Sequence, residues 1–335
     1  MYFKELLCYR KIWLGFALSW IMLFHYPLSL GPFQYFASIG YGGVDICLFA
    51  SGIGCFYSLS ADTDIVKFLK RRLKRLAPTY IIFILAWLAF QYLCGKFNFQ
   101  MAVGNILAIQ NFTGNGRDFN WYISAIFLMY ILAPYFKIIA QEADLQHKSL
   151  FLAFLIVCSI PFWRANTYII TITRLPIYYI GMLFADMCQK DIQISKKHIF
   201  SIILSFALGV IMLGCCIIWA EPYLWSYGLY WYPFILITPP LCIAISYLSS
   251  VLNKTKATKL VLSFFSLCGE YSFELYLLHI LLASCITYTI DVFDLSRYGR
   301  LIWMAGLIPL FLGCVILRRA SVCITSFLEK SNKNT

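Results

Sequence analysis

Apolar runs long enough to cross a bilayer recur along the whole chain, each closed by a short polar or basic stretch. They can be marked at 12–31, 38–60, 79–95, 121–139, 149–164, 168–186, 199–219, 228–250, 267–290 and 300–317. A helix rising 1.5 Å per residue needs about 20 mainly apolar residues to span hydrocarbon, and these runs are of that order. The polar stretches between them are too short for a soluble domain. No internal repeat or low-complexity tract interrupts the pattern. It predicts an all-α, polytopic integral membrane helical bundle of about ten transmembrane helices. Residues 1–335 form a single membrane-embedded domain with no separate soluble domain.

Composition supports this. The chain is 61% hydrophobic and 18% aromatic, and only 13% of its 335 residues are charged. Mean hydropathy is +0.76. A soluble fold of this length cannot bury so much apolar surface, so lipid is the expected solvent. The N-terminal apolar run lacks a small-residue cleavage site and is long enough to span, which predicts a first helix and not a signal peptide.

The formal charge of +12 comes from clusters between apolar runs, a pattern of topology and not of nucleic-acid binding. With the N-terminus inside, 21 of the 27 Lys and Arg residues fall in cytoplasmic pieces. The outer pieces keep six: Lys96, Arg117, Arg164, Arg174, Arg297 and Arg300. Ten spans with both termini cytoplasmic satisfy the positive-inside bias, whereas an odd count puts the basic tail outside. The thirteen cysteines form no CxxC pair and no Cys/His cluster. They read as small apolar packing residues, with no metal site.

Ionisable side chains at membrane depth cost roughly 2.5–3.5 kcal/mol each and call for a reason. His147 and His198 fall in predicted cytoplasmic loops, whereas His25 and His279 fall inside the first and ninth spans. Asp45, early in the second span, is placed at a depth similar to that of His25. A carboxylate there would fix the imidazole tautomer and stabilise an imidazolium. Capping of helix amides near Gly42 and Gly43 is the alternative role for Asp45. In KFLKRRLKRLAPTY, residues 67–80, the basic cluster anchors topology. Its Arg72 and Arg75 share a helical face suited to phosphate, and Pro78 is expected to mark where the chain enters the bilayer. Ser272, Tyr276 and His279 share a face of the ninth span, from which Glu274 is rotated away. Trp121 opens the fourth span, a usual position for an interfacial aromatic.

Five segments in order resemble the acyltransferase-3 family of bacterial multi-pass membrane O-acyltransferases. They are LGFALSWIMLFH (14–25), GVDICLFASG (43–52), KFLKRRLKRLAPTY (67–80), WYISAIFLMYILAP (121–134) and SFELYLLH (272–279). The resemblance spans nearly the whole chain. It implies an enzyme of the bacterial inner membrane that moves an acyl group other than aminoacyl, often acetyl, from acyl-CoA to a hydroxyl of an envelope or exported glycan. Acetyl-CoA would be a substrate and not a bound cofactor. The implied partners are membrane lipid, the glycan acceptor and glycan assembly proteins. On this reading His25 is the general base, with Asp45 orienting it and His279 as relay or acceptor holder. Arg72 and Arg75 receive the donor, and Trp121, Ser272 and Tyr276 support the acceptor.

One position departs from the family. An arginine is common eleven residues before the first-span histidine, and this chain has Leu14 there. Arg10 and Lys11 lie one turn deeper on about the same side, and either is placed to supply the charge. Two other readings stay open: a transporter or flippase for a lipid-linked sugar, and a catalytically inactive component of a glycan assembly system.

Overall fold

The computed structural model describes residues 2–26, 31–113, 120–162, 168–219, 227–252 and 255–331. Arg117, Arg164, Lys254 and Lys333, used in the charge count, lie outside the described residues. Among the described residues, ten helices are long and apolar enough to cross a membrane. They are Phe3–His25, Gly40–Ala61, Ile65–Leu93, Trp121–Glu142, Leu145–Phe162, Ile169–Gln189, Lys196–Trp219, Pro233–Leu252, Ser272–Val292 and Ser296–Phe327, the first to tenth spans. The protein is a multi-pass helical membrane bundle. The second and sixth spans form its centre. Their apolar windows are 67% and 83% buried, against 11% for the fifth and seventh at the periphery.

Close backbone contact holds the centre together. A Cβ on Gly52 would lie 2.2 Å from the Tyr178 carbonyl oxygen, and one on Gly181 would lie 2.3 Å from that of Phe49. Glycines on both partners let the second and sixth spans touch main chain to main chain. That contact holds Asp45 and Arg174 on adjoining helices.

Three boundaries differ from those the hydropathy pattern predicts. The first span begins at Phe3, so Arg10 and Lys11 lie inside it, and its last helical residue is His25. The third begins at Ile65, where Asp64 caps the helix by accepting from the Lys67 amide at 3.0 Å. Pro78 sits within that continuous helix and does not end it. The exposed basic residues of 67–75 can stay helical because their heads reach water while the stems cover apolar surface. Arg71 takes Asp62 as partner at 2.8 Å, and this bond holds the Asp62 carboxyl below the usual carboxylate range.

The third difference is a separate amphipathic helix, Lys256–Glu270, ahead of the ninth span, with the break at Tyr271. Thr255 caps its start by accepting from the Thr258 amide at 3.2 Å. Leu260, Val261, Phe264 and Leu267 project from it exposed, beside Lys256 and Lys259. It meets the first span in direct backbone contact. A Cβ on Gly269 would lie 1.7 Å from the Lys11 carbonyl oxygen, and one on Gly15 would lie 1.8 Å from that of Phe265. Any larger residue at either position forces these helices apart.

Candidate active site

The ninth span carries Ser272, Tyr276 and His279 down one face, as their spacing requires. His279 is fully buried, and its Nδ1 lies 3.0 Å from the Leu275 carbonyl oxygen. A carbonyl can only accept, so in the neutral ring Nδ1 carries the hydrogen and Nε2 presents a lone pair. That Nε2 is buried and has no hydrogen-bond partner among the described residues. His25 repeats the arrangement at the end of the first span. Its Nδ1 lies 2.9 Å from the Ile21 carbonyl oxygen, which likewise leaves Nε2 as a base. His25 is exposed, and the two imidazole rings stand 5.1 Å apart with planes at 62°. The Tyr276 ring is 5.7 Å from that of His279 and 4.6 Å from that of Tyr122. The bundle thus gathers His25, His279 and Tyr276 from two distant parts of the sequence.

Asp45 does not take the place expected for it. His25 is oriented by a backbone carbonyl, and the ionic partner of Asp45 is Arg174, Nε to Oδ1 at 3.6 Å. Both members of this pair are almost wholly buried, at 1% and 2% side-chain exposure. Arg174 is therefore not an outer-loop cation, as the charge count had it. Its guanidinium lies over the rings of Trp121, 5.0 Å from the centroid, and Trp231, 4.8 Å from the centroid. This gives Trp121 a specific contact beyond that of an interfacial aromatic. Burial of Arg174 within an apolar run was the available signal, and its proximity to predicted outer residues concealed it.

At the basic end two cavities adjoin. The outer one, about 720 Å³, is lined by Arg10, Lys11, Arg75, Glu270, Glu274 and Arg318 among others. The inner one, about 100 Å³, runs past Arg72, Ser51, Tyr122 and Tyr130 to Tyr276. Arg10, Leu14, Arg75, Leu76, Ser272 and Phe273 line both. Leu14 is therefore at the junction, and Arg10 stands there with it. Arg10 Nε has no hydrogen-bond partner among the described residues, whereas Lys11 is exposed and paired with Glu270 at 3.3 Å.

The other charges divide by partner. Arg72 donates to the Gly54 carbonyl oxygen at 2.7 Å and lies over the rings of Phe68 and Tyr130. Arg318, read from sequence as part of a basic tail, sits inside the tenth span. It grips Glu274 from Nε at 3.0 Å and Nη2 at 2.9 Å, also donates to the Glu270 carbonyl, and stacks 3.9 Å from the Tyr271 ring. Glu274 thus has a structural partner and no contact with the histidine pair. Arg75 is exposed on the cavity wall.

A family model described as an acyltransferase domain matches residues 14–319. No curated protein and no solved structure matches the chain.

Proposed function

This chain belongs to the acyltransferase-3 family, and so is a membrane acyltransferase; on that footing we propose that it moves a short acyl group, acetyl above all, from cytoplasmic acyl-CoA to a hydroxyl of an envelope or exported glycan at a bacterial inner membrane. The observation that supports this reading is a pair of adjoining cavities, the outer lined by arginines and the inner reaching Tyr276, whose ring lies 5.7 Å from that of His279, itself 5.1 Å from that of His25. The outer cavity falls in the size range of sites for ligands of several hundred daltons, about 300–1,000 Å³. It offers Arg10 and Arg75 to the donor's phosphates, where charge-assisted bonds are strong. The narrower inner space suits the thioester arm.

In the proposed reaction, Nε2 of His25 takes the proton of the acceptor hydroxyl as its oxygen attacks the thioester carbonyl carbon. The Nδ1–H···O=C bond to Ile21 holds the ring in the tautomer this needs and favours the imidazolium that forms. The carbon–sulfur bond then breaks, and the departing thiolate takes the proton back from Nε2. The products are an acyl ester and free coenzyme A. His279, its ring 5.1 Å from that of His25, holds the acceptor or relays the proton.

The test compares O-acyl content of envelope glycans in cells with and without the protein, using isotopically labelled acyl donor. Loss of label from one glycan on deletion supports the reading. Unchanged O-acylation of every glycan, with defective glycan export, would favour a transport role instead.

A further inference from the structure

A buried ion pair is costly unless its geometry is good and its remaining polar atoms are bonded. The Asp45–Arg174 pair meets neither condition. The pair is joined at 3.6 Å, beyond hydrogen-bonding distance. Asp45 Oδ2 and Arg174 Nε are both buried without a hydrogen-bond partner among the described residues. Replacing such a pair with apolar residues is often neutral or stabilising, so stability does not account for it. Nor is Arg174 loosely held. Its Nη1 donates to the Ile170 carbonyl oxygen at 3.2 Å, and the guanidinium lies over two tryptophan rings. The cation is fixed, and the carboxylate it faces keeps one oxygen unused.

The pair is linked to the candidate site through Trp121, whose ring is 6.1 Å from that of Tyr122, which in turn is 4.6 Å from that of Tyr276. Tyr276 stands edge-on to His279, with ring centres 5.7 Å apart. The inner cavity is lined by Cys47 and Ala50 from the span that carries Asp45. Asp45 Oδ2 and His279 Nε2 are both unsatisfied and both accept hydrogen bonds, since Nδ1 carries the hydrogen of the neutral His279 ring. A group that satisfies either must donate a hydrogen bond, as a sugar hydroxyl does.

We propose that Arg174 is a positioning residue for acyl transfer: packed against Trp121 and Trp231, it holds Asp45 so that Oδ2 receives a hydroxyl of the polyhydroxylated acceptor. This rests on the acyltransfer reading above. Arg174 acts through Asp45 and on the acceptor, not on the donor. Its guanidinium sets the direction of the carboxylate and keeps it ionised in a buried setting, as an opposite charge does.

The test uses full-length protein with Arg174→Gln, Arg174→Lys, Asp45→Asn and the double variant Asp45→Asn/Arg174→Gln. Two quantities are read: affinity of the detergent-purified protein for labelled acetyl-CoA, and acyl transfer to endogenous glycan in membranes. Arg174→Gln should reduce transfer by about 10–100-fold, the range for loss of an orienting group, with donor affinity within about twofold. Arg174→Lys should recover part of the loss. The double variant should transfer at the same rate as Asp45→Asn alone, because Arg174 has nothing left to position.

Losses that multiply in the double variant, or donor affinity falling in step with transfer, would overturn the proposal. Full transfer in Arg174→Gln would overturn it too. If Arg174→Gln fails to accumulate because Asp45 is left uncompensated, the double variant removes both charges. Its rate relative to Asp45→Asn then decides. Absence of transfer by the unaltered protein would instead defeat the acyltransfer reading itself.

Discussion

Replacing Arg10 with Gln should weaken use of the acyl donor, and the structure sets how much. Arg10 lines both cavities together with Leu14, and its Nε has no hydrogen-bond partner among the described residues. One charge-assisted hydrogen bond is worth about 1.5–3 kcal/mol. At about 1.4 kcal/mol per factor of ten, its loss amounts to roughly 10–150-fold in donor affinity. A contact made equally in ground and transition states raises KM and leaves kcat alone, so KM for acyl-CoA should rise over that range with kcat nearly constant. Lys11→Gln should change KM by less than about fivefold, because an exposed ion pair contributes roughly 0–1 kcal/mol. Gly54→Ala gives a geometric control. A Cβ there would lie 2.9 Å from Arg10 Nη2, the far end of a flexible chain, so the charge moves while the fold stays. KM should rise by an amount between those of the other two variants. Leu14→Arg in the Arg10→Gln protein should recover part of the loss. The assay is initial-rate kinetics over acyl-CoA concentration in membranes with matched protein levels. A KM unchanged in Arg10→Gln, or moved more by Lys11→Gln, would refute the assignment.

Other outcomes follow from the packing and the topology. Gly269→Val should lower the thermal midpoint of purified protein by an amount corresponding to about 1–3 kcal/mol or more, since its Cβ meets the Lys11 carbonyl oxygen; an unchanged midpoint would mean the two helices are not in backbone contact. Arg318→Met should cost about 3–5 kcal/mol by leaving buried Glu274 unpaired, and adding Glu274→Leu should restore much of it, both read by thermal unfolding in detergent. Similar midpoints in the single and double variants would argue against that pairing. A topology reporter fused after residue 65 should read cytoplasmic and one near residue 110 extracytoplasmic; swapped results would remove the donor-side role of Arg10 and Arg75.

The ten spans were legible because hydrocarbon thickness sets a length that apolar runs either reach or do not. Helix ends within charged sequence were not legible in the same way. The run from Lys67 to Arg75 reads as a flank, yet the Asp64 cap and side chains able to reach water keep it helical through Pro78. The amphipathic helix Lys256–Glu270 merges with the ninth span by hydropathy, whereas the chain breaks at Tyr271 and the helix packs on the first span at Gly15 and Gly269.

In the site, the shared face of Ser272, Tyr276 and His279 was fixed by helical spacing. The meeting of His279 with His25, 254 positions away, also appears where the family motifs pointed. Two features needed three dimensions. Arg10 and Lys11 are equivalent by spacing, but one faces the cavities and the other faces Glu270. Asp45 and His25 match in estimated depth, yet the nearer charge is an arginine from the sixth span. Depth along a helix says nothing about which neighbour a side chain turns towards.

The most direct test of the account is acyl transfer by His25→Ala, measured as labelled acyl groups delivered from acyl-CoA to glycan in membranes holding equal amounts of variant and unaltered protein. His25 Nε2 is the base the reaction draws on, so transfer should fall by about 10²–10⁴ while the protein still inserts and binds donor. Transfer at the unaltered rate by a stably inserted His25→Ala protein would contradict the account at its centre.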